Sequence, residues 1–204
     1  MAQINTGLRA VLSNPIVYDT FQSLLGANQG RRELVANWIR PYDGMRILDI
    51  GCGTARILQH LPKVDYWGFD LSQRYVDDAR RRYGDRGHFQ CGLVEQATLD
   101  NVPLFDVVLA LGVLHHLDDD QTLHLLTLAK NVLKPNGRLV TIDPCYVVSQ
   151  NPLARYLVSR DRGQNVRYPD AYRQLASNVF SDVKGLVDNL AWIPYTHWIM
   201  ECAK

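Results

Sequence analysis

Leu48-Asp49-Ile50-Gly51-Cys52-Gly53-Thr54-Ala55-Arg56 closes a short apolar run, Met45–Ile50, with an acid and then two glycines. The run predicts a buried strand, the glycines a tight turn, and the residues beyond them a helix. Glycine lets the backbone turn sharply and lets a ligand lie against the chain with no side chain between. Two glycines alone do not say which ligand; their surroundings do. A pyrophosphate turn asks for G-x-G-x-x-G/A, whose third small residue permits close helix packing. Here that position is Arg56. A phosphate would also bring negative charge to Asp49 at the strand end, where a carboxylate suits a cation instead. The turn therefore reads as a site for a positively charged ligand.

Downstream of this turn, strands and helices alternate. Tyr66–Asp70 reads as a second strand, and Ser72 as the N-cap of a helix that Gly84 ends. His88–Cys91 is a third strand. Phe105–Leu111, after Pro103, is apolar on both faces, as a central parallel strand should be. A helix from Asp120 to Leu133 stops at Lys134-Pro135-Asn136-Gly137, and Arg138–Asp143 is the fifth strand. This rhythm predicts an α/β fold with a Rossmann-like, doubly wound, mostly parallel sheet. Asp182–Val187 and Tyr195–Glu201 read as two further strands, joined by a link containing Pro194 that is too short for a crossover helix. Such a link permits an antiparallel hairpin.

Upstream, Ile16, Val17, Phe21, Leu24 and Leu25, then Leu34, Val35, Trp38 and Ile39, recur at helical spacing until Pro41 and Gly44. The whole reads as one domain. Residues 1–44 form a helical cap, 45–143 the ligand-binding core, 144–178 a lid insert after strand five, and 179–204 the terminal hairpin.

The chain has 204 residues, room for one sizeable α/β domain. Its net charge of +1 leaves no electrostatic footprint for nucleic acid or an acidic membrane, which points to a small-molecule partner. Cys52, Cys91, Cys145 and Cys202 are widely spaced and suggest buried thiols rather than a metal site or a disulfide framework. The first residues show no signal-peptide pattern, and no apolar run approaches the ~20 residues that span a bilayer. The expectations are no metal, no membrane, no nucleic acid and a cytoplasmic location.

ILDIGCGTARIL, GFDLS, FDVVLALGVLHHL and LKPNGRLVTIDP, in this order, resemble the successive motifs of class I S-adenosylmethionine-dependent methyltransferases. The resemblance covers residues 45–143. It implies a seven-stranded sheet whose last strand is antiparallel, and S-adenosylmethionine as cofactor. It assigns Asp49, Gly51, Cys52 and Gly53 to the methionine end, Asp70 to the ribose and Leu71 to a face of the adenine. Ala110 and Leu111 would line the methionine arm. The family often places an acid after the third strand to hold the adenine amino group. This chain has Cys91-Gly92-Leu93-Val94-Glu95, so backbone groups of Gly92 and Leu93 are expected to read the adenine, with Glu95 as a substitute. Asp70 has a second reading, a helix cap beside Ser72. Tyr18 either meets the cofactor carboxylate or is a core tyrosine.

Methyl transfer asks for alignment, exclusion of water and, for a hydroxyl acceptor, removal of a proton. His115 and His116 follow strand four, at the carboxyl edge where open α/β sheets place ligands, and either can serve as base or merely cap the loop. His197 in the last strand is a further histidine, read as structural. The insert carries Arg155, Arg160, Asp161, Arg162, Gln164, Asn165 and Arg167 among tyrosines. It reads as a solvated lid or as a donor-rich cover for a hydroxylated, sugar-like or anionic acceptor, with Arg162 and Asn165 facing it. Two readings of other classes stand beside this one. A nicotinamide-dependent oxidoreductase is opposed by Arg56 and Asp49. A cofactor-binding module without catalysis is opposed by the intact glycine turn and Asp70.

Overall fold

The computed structural model describes residues 27–95, 99, 102–161, 163–189 and 195–204. Tyr18 and Arg162 lie outside the described residues. The strands are β1 (Arg46–Ile50), β2 (Asp65–Asp70), β3 (His88–Cys91), β4 (Phe105–Leu111), β5 (Leu133–Pro144), β6 (Asp182–Asn189) and β7 (Thr196–Ala203). They form one seven-stranded sheet in the order β3-β2-β1-β4-β5-β7-β6. The described residues divide into two compact units, one ending at residue 107 and one beginning at residue 108.

In the unit ending at residue 107, helix α1 (Ala27–Leu34) runs into a π-helical turn, Val35–Ile39. Leu34, Val35 and Ile39 from the predicted apolar set are buried. β1 pairs parallel with β2, and β2 with β3, so that Asp49 lies opposite Gly68 and Asp70 opposite Cys91. Helix α2 (Gln73–Tyr83) begins where expected, with the Ser72 hydroxyl accepting from the Tyr75 amide, and ends at Gly84 in a positive-φ conformation.

The helix expected after the glycine turn is only a 3-10 turn, Arg56–His60. Ala55 enters it with φ 53, and Leu61, followed by Pro62, is already extended. A residue before proline is driven out of the α region, so too few residues remain for a full α-helix.

In the other unit, helix α3 (Asp119–Val132) opens on a capping box between Asp118 and Gln121. β5 follows at once and starts earlier than predicted, because Lys134–Gly137 is extended rather than a loop. Asn136 takes the left-handed conformation there, φ 65, which asparagine tolerates better than most residues. The insert holds α4 (Pro152–Ser159) and α5 (Pro169–Ser177), each with proline in its first turn. It is not simply a solvated cover: Ala154, Val158, Tyr172 and Ala176 are buried. β7 is antiparallel to both β5 and β6. Among the described residues, no helix is long and apolar enough to cross a membrane.

Candidate active site

The turn after β1 is fixed from below. The amides of Gly51 and Cys52 donate to the Phe69 carbonyl at 2.8 and 2.9 Å, which ties the turn to the end of β2. Gly51 and Gly53 take φ values of 74 and 54, and a methyl group placed on Gly53 would meet nothing within 4 Å. The turn thus presents bare backbone to open space. Asp70 spans it: its Oδ2 accepts from the Gly53 amide at 2.9 Å and its Oδ1 from the Ser72 amide at 2.8 Å. The carboxylate keeps further lone pairs for donors from a ligand. Both readings of Asp70 are therefore compatible, since it braces the turn and the helix start together.

Asp49 is 2% exposed. Tyr66 donates to its Oδ2 at 2.6 Å, while its Oδ1, buried, has no hydrogen-bond partner among the described residues. Burial pushes the Asp49 carboxyl up to about 7, against the pull of the Tyr66 hydrogen bond and with a smaller push from Asp70. A buried carboxylate oxygen without a donor is costly unless a cation or donor meets it. Burial also raises the Cys52 thiol and the Asp70 carboxyl. At the ends of β2 and β3, the Gly92 amide donates to the Asp70 carbonyl at 3.0 Å. Leu71 and Leu93 expose 49% and 60% of their surface there.

The other unit holds a second constellation. His115, buried after β4, sits between two acids. Its Nδ1 lies 2.8 Å from Asp143 Oδ1 on β5, and its Nε2 lies 3.1 Å from Asp161 Oδ1 on the insert. The His115 amide also donates to Asp143, at 3.1 Å. Asp161 is held in turn by the Gly163 amide at 2.8 Å and by the Tyr195 hydroxyl, which donates to its Oδ2. Burial would lower the imidazole, but the two carboxylates more than offset it and push His115 up to about 9. Burial would likewise raise Asp161, yet His115, the Gly163 amide and Tyr195 hold it well below the usual carboxylate range. Asp143, deeper still, is raised by desolvation, with His115 pulling the other way. His115 is thus an imidazolium with both nitrogens engaged.

The insert is bolted to this histidine. Asn165 donates its amide to the His115 carbonyl at 2.9 Å, and a side chain on Gly163 would collide with the His115 ring and carbonyl. Arg167 donates to the carbonyls of Leu114 at 3.0 Å and Leu117 at 2.8 Å, and pairs with Asp119 at 2.7 Å.

Residues 48–139 match the family model described as a methyltransferase domain. An O-methyltransferase of Penicillium expansum is 33% identical over 150 residues, covering 63% of this chain and 52% of that protein. A ubiquinone biosynthesis O-methyltransferase of Maricaulis maris is 29% identical over 106 residues, covering 50% of this chain and 41% of that one. Human N-acetylserotonin methyltransferase, solved in complex with S-adenosylmethionine, shares the fold with a TM-score of 0.68 at 20% identity, over 96% of this chain and 58% of that one. Residues 48–139 thus resemble a methyltransferase domain, and the chain shares its fold with S-adenosylmethionine-dependent methyltransferases. It spans about half the length of the curated relatives it matches. A TehB-like methyltransferase of Corynebacterium glutamicum is covered over 98% of its own length, with a TM-score of 0.62 at 19% identity.

Several residues expected at a methyltransferase site fall together: Asp49, Gly51, Cys52, Gly53, Asp70, Leu71, Gly92 and Leu93 all lie at or next to the carboxyl ends of β1, β2 and β3. Ala110 is fully buried in β4, while Leu111 at its end is half-buried. His116 stacks against His115 with ring centroids 4.0 Å apart. Asp143 and Tyr195 received no role from sequence reasoning, and Asp161 only a place in the lid. Asp143 carried a signal all the same, an acid ending an apolar strand in the manner of Asp49 and Asp70.

Proposed function

We propose that this chain is an S-adenosylmethionine-dependent methyltransferase that methylates a hydroxyl oxygen of a small, hydroxylated or sugar-like acceptor. The observation that supports the oxygen as target is the buried imidazole of His115 between two carboxylates, directly after β4 of a methyltransferase domain. The residues of the glycine turn fit the cofactor. Gly53 offers backbone in open space, Asp49 has a buried oxygen suited to a cationic donor, and Asp70 has lone pairs for ribose hydroxyls. Leu71 and Leu93 would flank the adenine, with the backbone of Gly92 and Leu93 reading its edge. Ala110 and Leu111 would border the methionine arm.

When bound, the cofactor supplies a methyl carbon activated by a sulfonium. The chain's own work is to align the acceptor oxygen and take its proton. Asp143 fixes the tautomer and ring plane of His115 through Nδ1, which leaves Nε2 as the working nitrogen. An entering hydroxyl takes the place of Asp161 on Nε2. One of the two charges that hold the imidazolium proton is then gone, so the Nε2 proton is released to solvent and the neutral ring can accept the proton of the hydroxyl. Asn165, close to Asp161 in the insert, would face the acceptor, and His116 would support the ring of His115. A small-molecule acceptor agrees with the near-neutral net charge.

The test is to incubate the protein with methyl-labelled S-adenosylmethionine and a metabolite extract and to identify by mass what gains the label. A hydroxylated compound should gain one methyl group as an ether, and His115→Gln should abolish that product. Label appearing only on amines or thiols would overturn the reading of oxygen as target.

A further inference from the structure

The acid on the working side of His115 is held from a third element. Asp161 belongs to the turn after α4, where its amide bonds back to Val158 at 3.0 Å. Its Oδ1 is shared by the Gly163 amide and His115 Nε2, and its Oδ2 by the Tyr195 hydroxyl. Tyr195 stands just before β7, half-buried, with its ring 5.0 Å from that of His197. Asp161 itself is 22% exposed on its side chain, so it is not wedged in place by packing as Asp143 is at 1%. Besides His115 itself, what fixes the direction of its carboxylate is the pair of donors Gly163 and Tyr195. Gly163 belongs to the same turn and moves with it. Tyr195 does not.

We propose that the Tyr195 hydroxyl is a positioning group which, from the edge of β7, holds the insert's Asp161 on the Nε2 face of His115. The inference rests on the reading of His115 as the base. Tyr195 touches no reacting atom in this account; it acts through Asp161. The groups that face His115 among the described residues are Asp143 from β5, Asp161 from the insert, His116 from its own loop and His197 from β7. His197 is pulled down to about 4 by burial, so it stays neutral near pH 7 and adds no charge. The two acids therefore govern the His115 proton, and Asp161 is the one that a single side-chain hydroxyl anchors.

With that hydroxyl removed, the Asp161 carboxylate keeps only the Gly163 amide and His115 as donors, turns to water for part of the time, and leaves His115 more dependent on Asp143. Tyr195→Phe deletes one oxygen and keeps the ring against His197. The experiment follows the His115 ring resonances by NMR across pH, in the wild type, Tyr195→Phe, Asp161→Asn and the double variant. The expected result is a His115 titration moved to lower pH by about one unit in Tyr195→Phe, a tenfold change in its proton affinity. Asp161→Asn should move it at least as far, and the double variant no further than Asp161→Asn, since the hydroxyl acts through that acid. Once an acceptor is known, the rising limb of kcat/KM against pH should move to lower pH in step. A purely structural role would lower the melting temperature and leave the titration where it is. An unmoved or raised His115 titration in Tyr195→Phe overturns the proposal, as does an additive double variant. The NMR readout needs no substrate, so a chain that transfers no methyl group but shows the shift would sink the reading of His115 as base and leave the Tyr195 linkage standing.

Discussion

Asp49 and Asp143 are both almost inaccessible, each stands at or near the carboxyl end of a strand, and burial raises both, yet they differ in the partner that offsets it. Asp49 has one neutral donor, Tyr66, and an oxygen with no partner among the described residues; desolvation drives it toward the neutral form near pH 7. Asp143 also has a buried oxygen, Oδ2, with no partner among the described residues and is also raised by burial, but its Oδ1 meets a protonated imidazole, which a second acid, Asp161, helps to keep charged. A buried acid without a cation neutralises itself, whereas one with a cation becomes a rigid fixture. The first arrangement suits a site that receives a positive ligand. The second suits a site that handles a proton with parts the chain already owns.

The largest expected effect lies in the second region. His115→Gln should lower methyl transfer by about 10²–10⁴-fold, the usual contribution of a positioned base, and leave S-adenosylmethionine affinity unchanged by calorimetry. Equal losses of both would move His115 to the cofactor's side of the comparison.

The same chemical change should then act with opposite sign in the two regions. Asp143→Asn strands the His115 proton beside one acid and should cost about 3–5 kcal/mol of stability at pH 6, read by denaturant unfolding. Asp49→Asn keeps the Tyr66 hydrogen bond and removes a charge that burial penalises. At pH 8 it should gain about 1–4 kcal/mol while cofactor binding is lost. If both variants are destabilised alike, the two acids are not in different electrostatic situations.

Stability against pH sharpens this further. His115, raised to about 9, contributes stability that is present in full below its unfolded value near 6.5 and is lost as pH rises through about 9. The loss amounts to about 3 kcal/mol. Asp49, raised to about 7, favours the folded protein when protonated, so its contribution falls between about pH 4 and 7. Asp161, lowered by its partners, adds stability above its unfolded value near 4 and loses it as pH falls below that. Melting temperatures should decline in two steps from pH 4 to 9, the lower removed by Asp49→Asn and the upper by His115→Gln.

The two regions also differ in how much of them the sequence shows. Around Asp49 the chemistry is local: strand, acid, glycines and Ser72 follow one another, and each states its conformational need to its neighbours. The glycine turn and the capped α2 could be read for that reason. The helix after the turn could not, because Leu61-Pro62 ends it within one turn, and the apolar spacing of Ile57 and Leu58 looks helical either way. Around His115 the histidine was visible, but its partners were not. Asp143, Asp161 and Tyr195 come from β5, the insert and the start of β7, and only the pairing of distant segments brings them together. No spacing rule in the chain announces that meeting.

The most direct test of the account is to titrate the protein with S-adenosylmethionine in a calorimeter, with Asp70→Ala beside it. The account predicts micromolar binding, a raised melting temperature by mass action, and affinity weakened about ten- to a hundredfold in Asp70→Ala, the cost of losing hydrogen bonds to a charged acceptor. An absence of heat and of any thermal shift at millimolar cofactor, or an Asp70→Ala variant that binds as the wild type does, would contradict it.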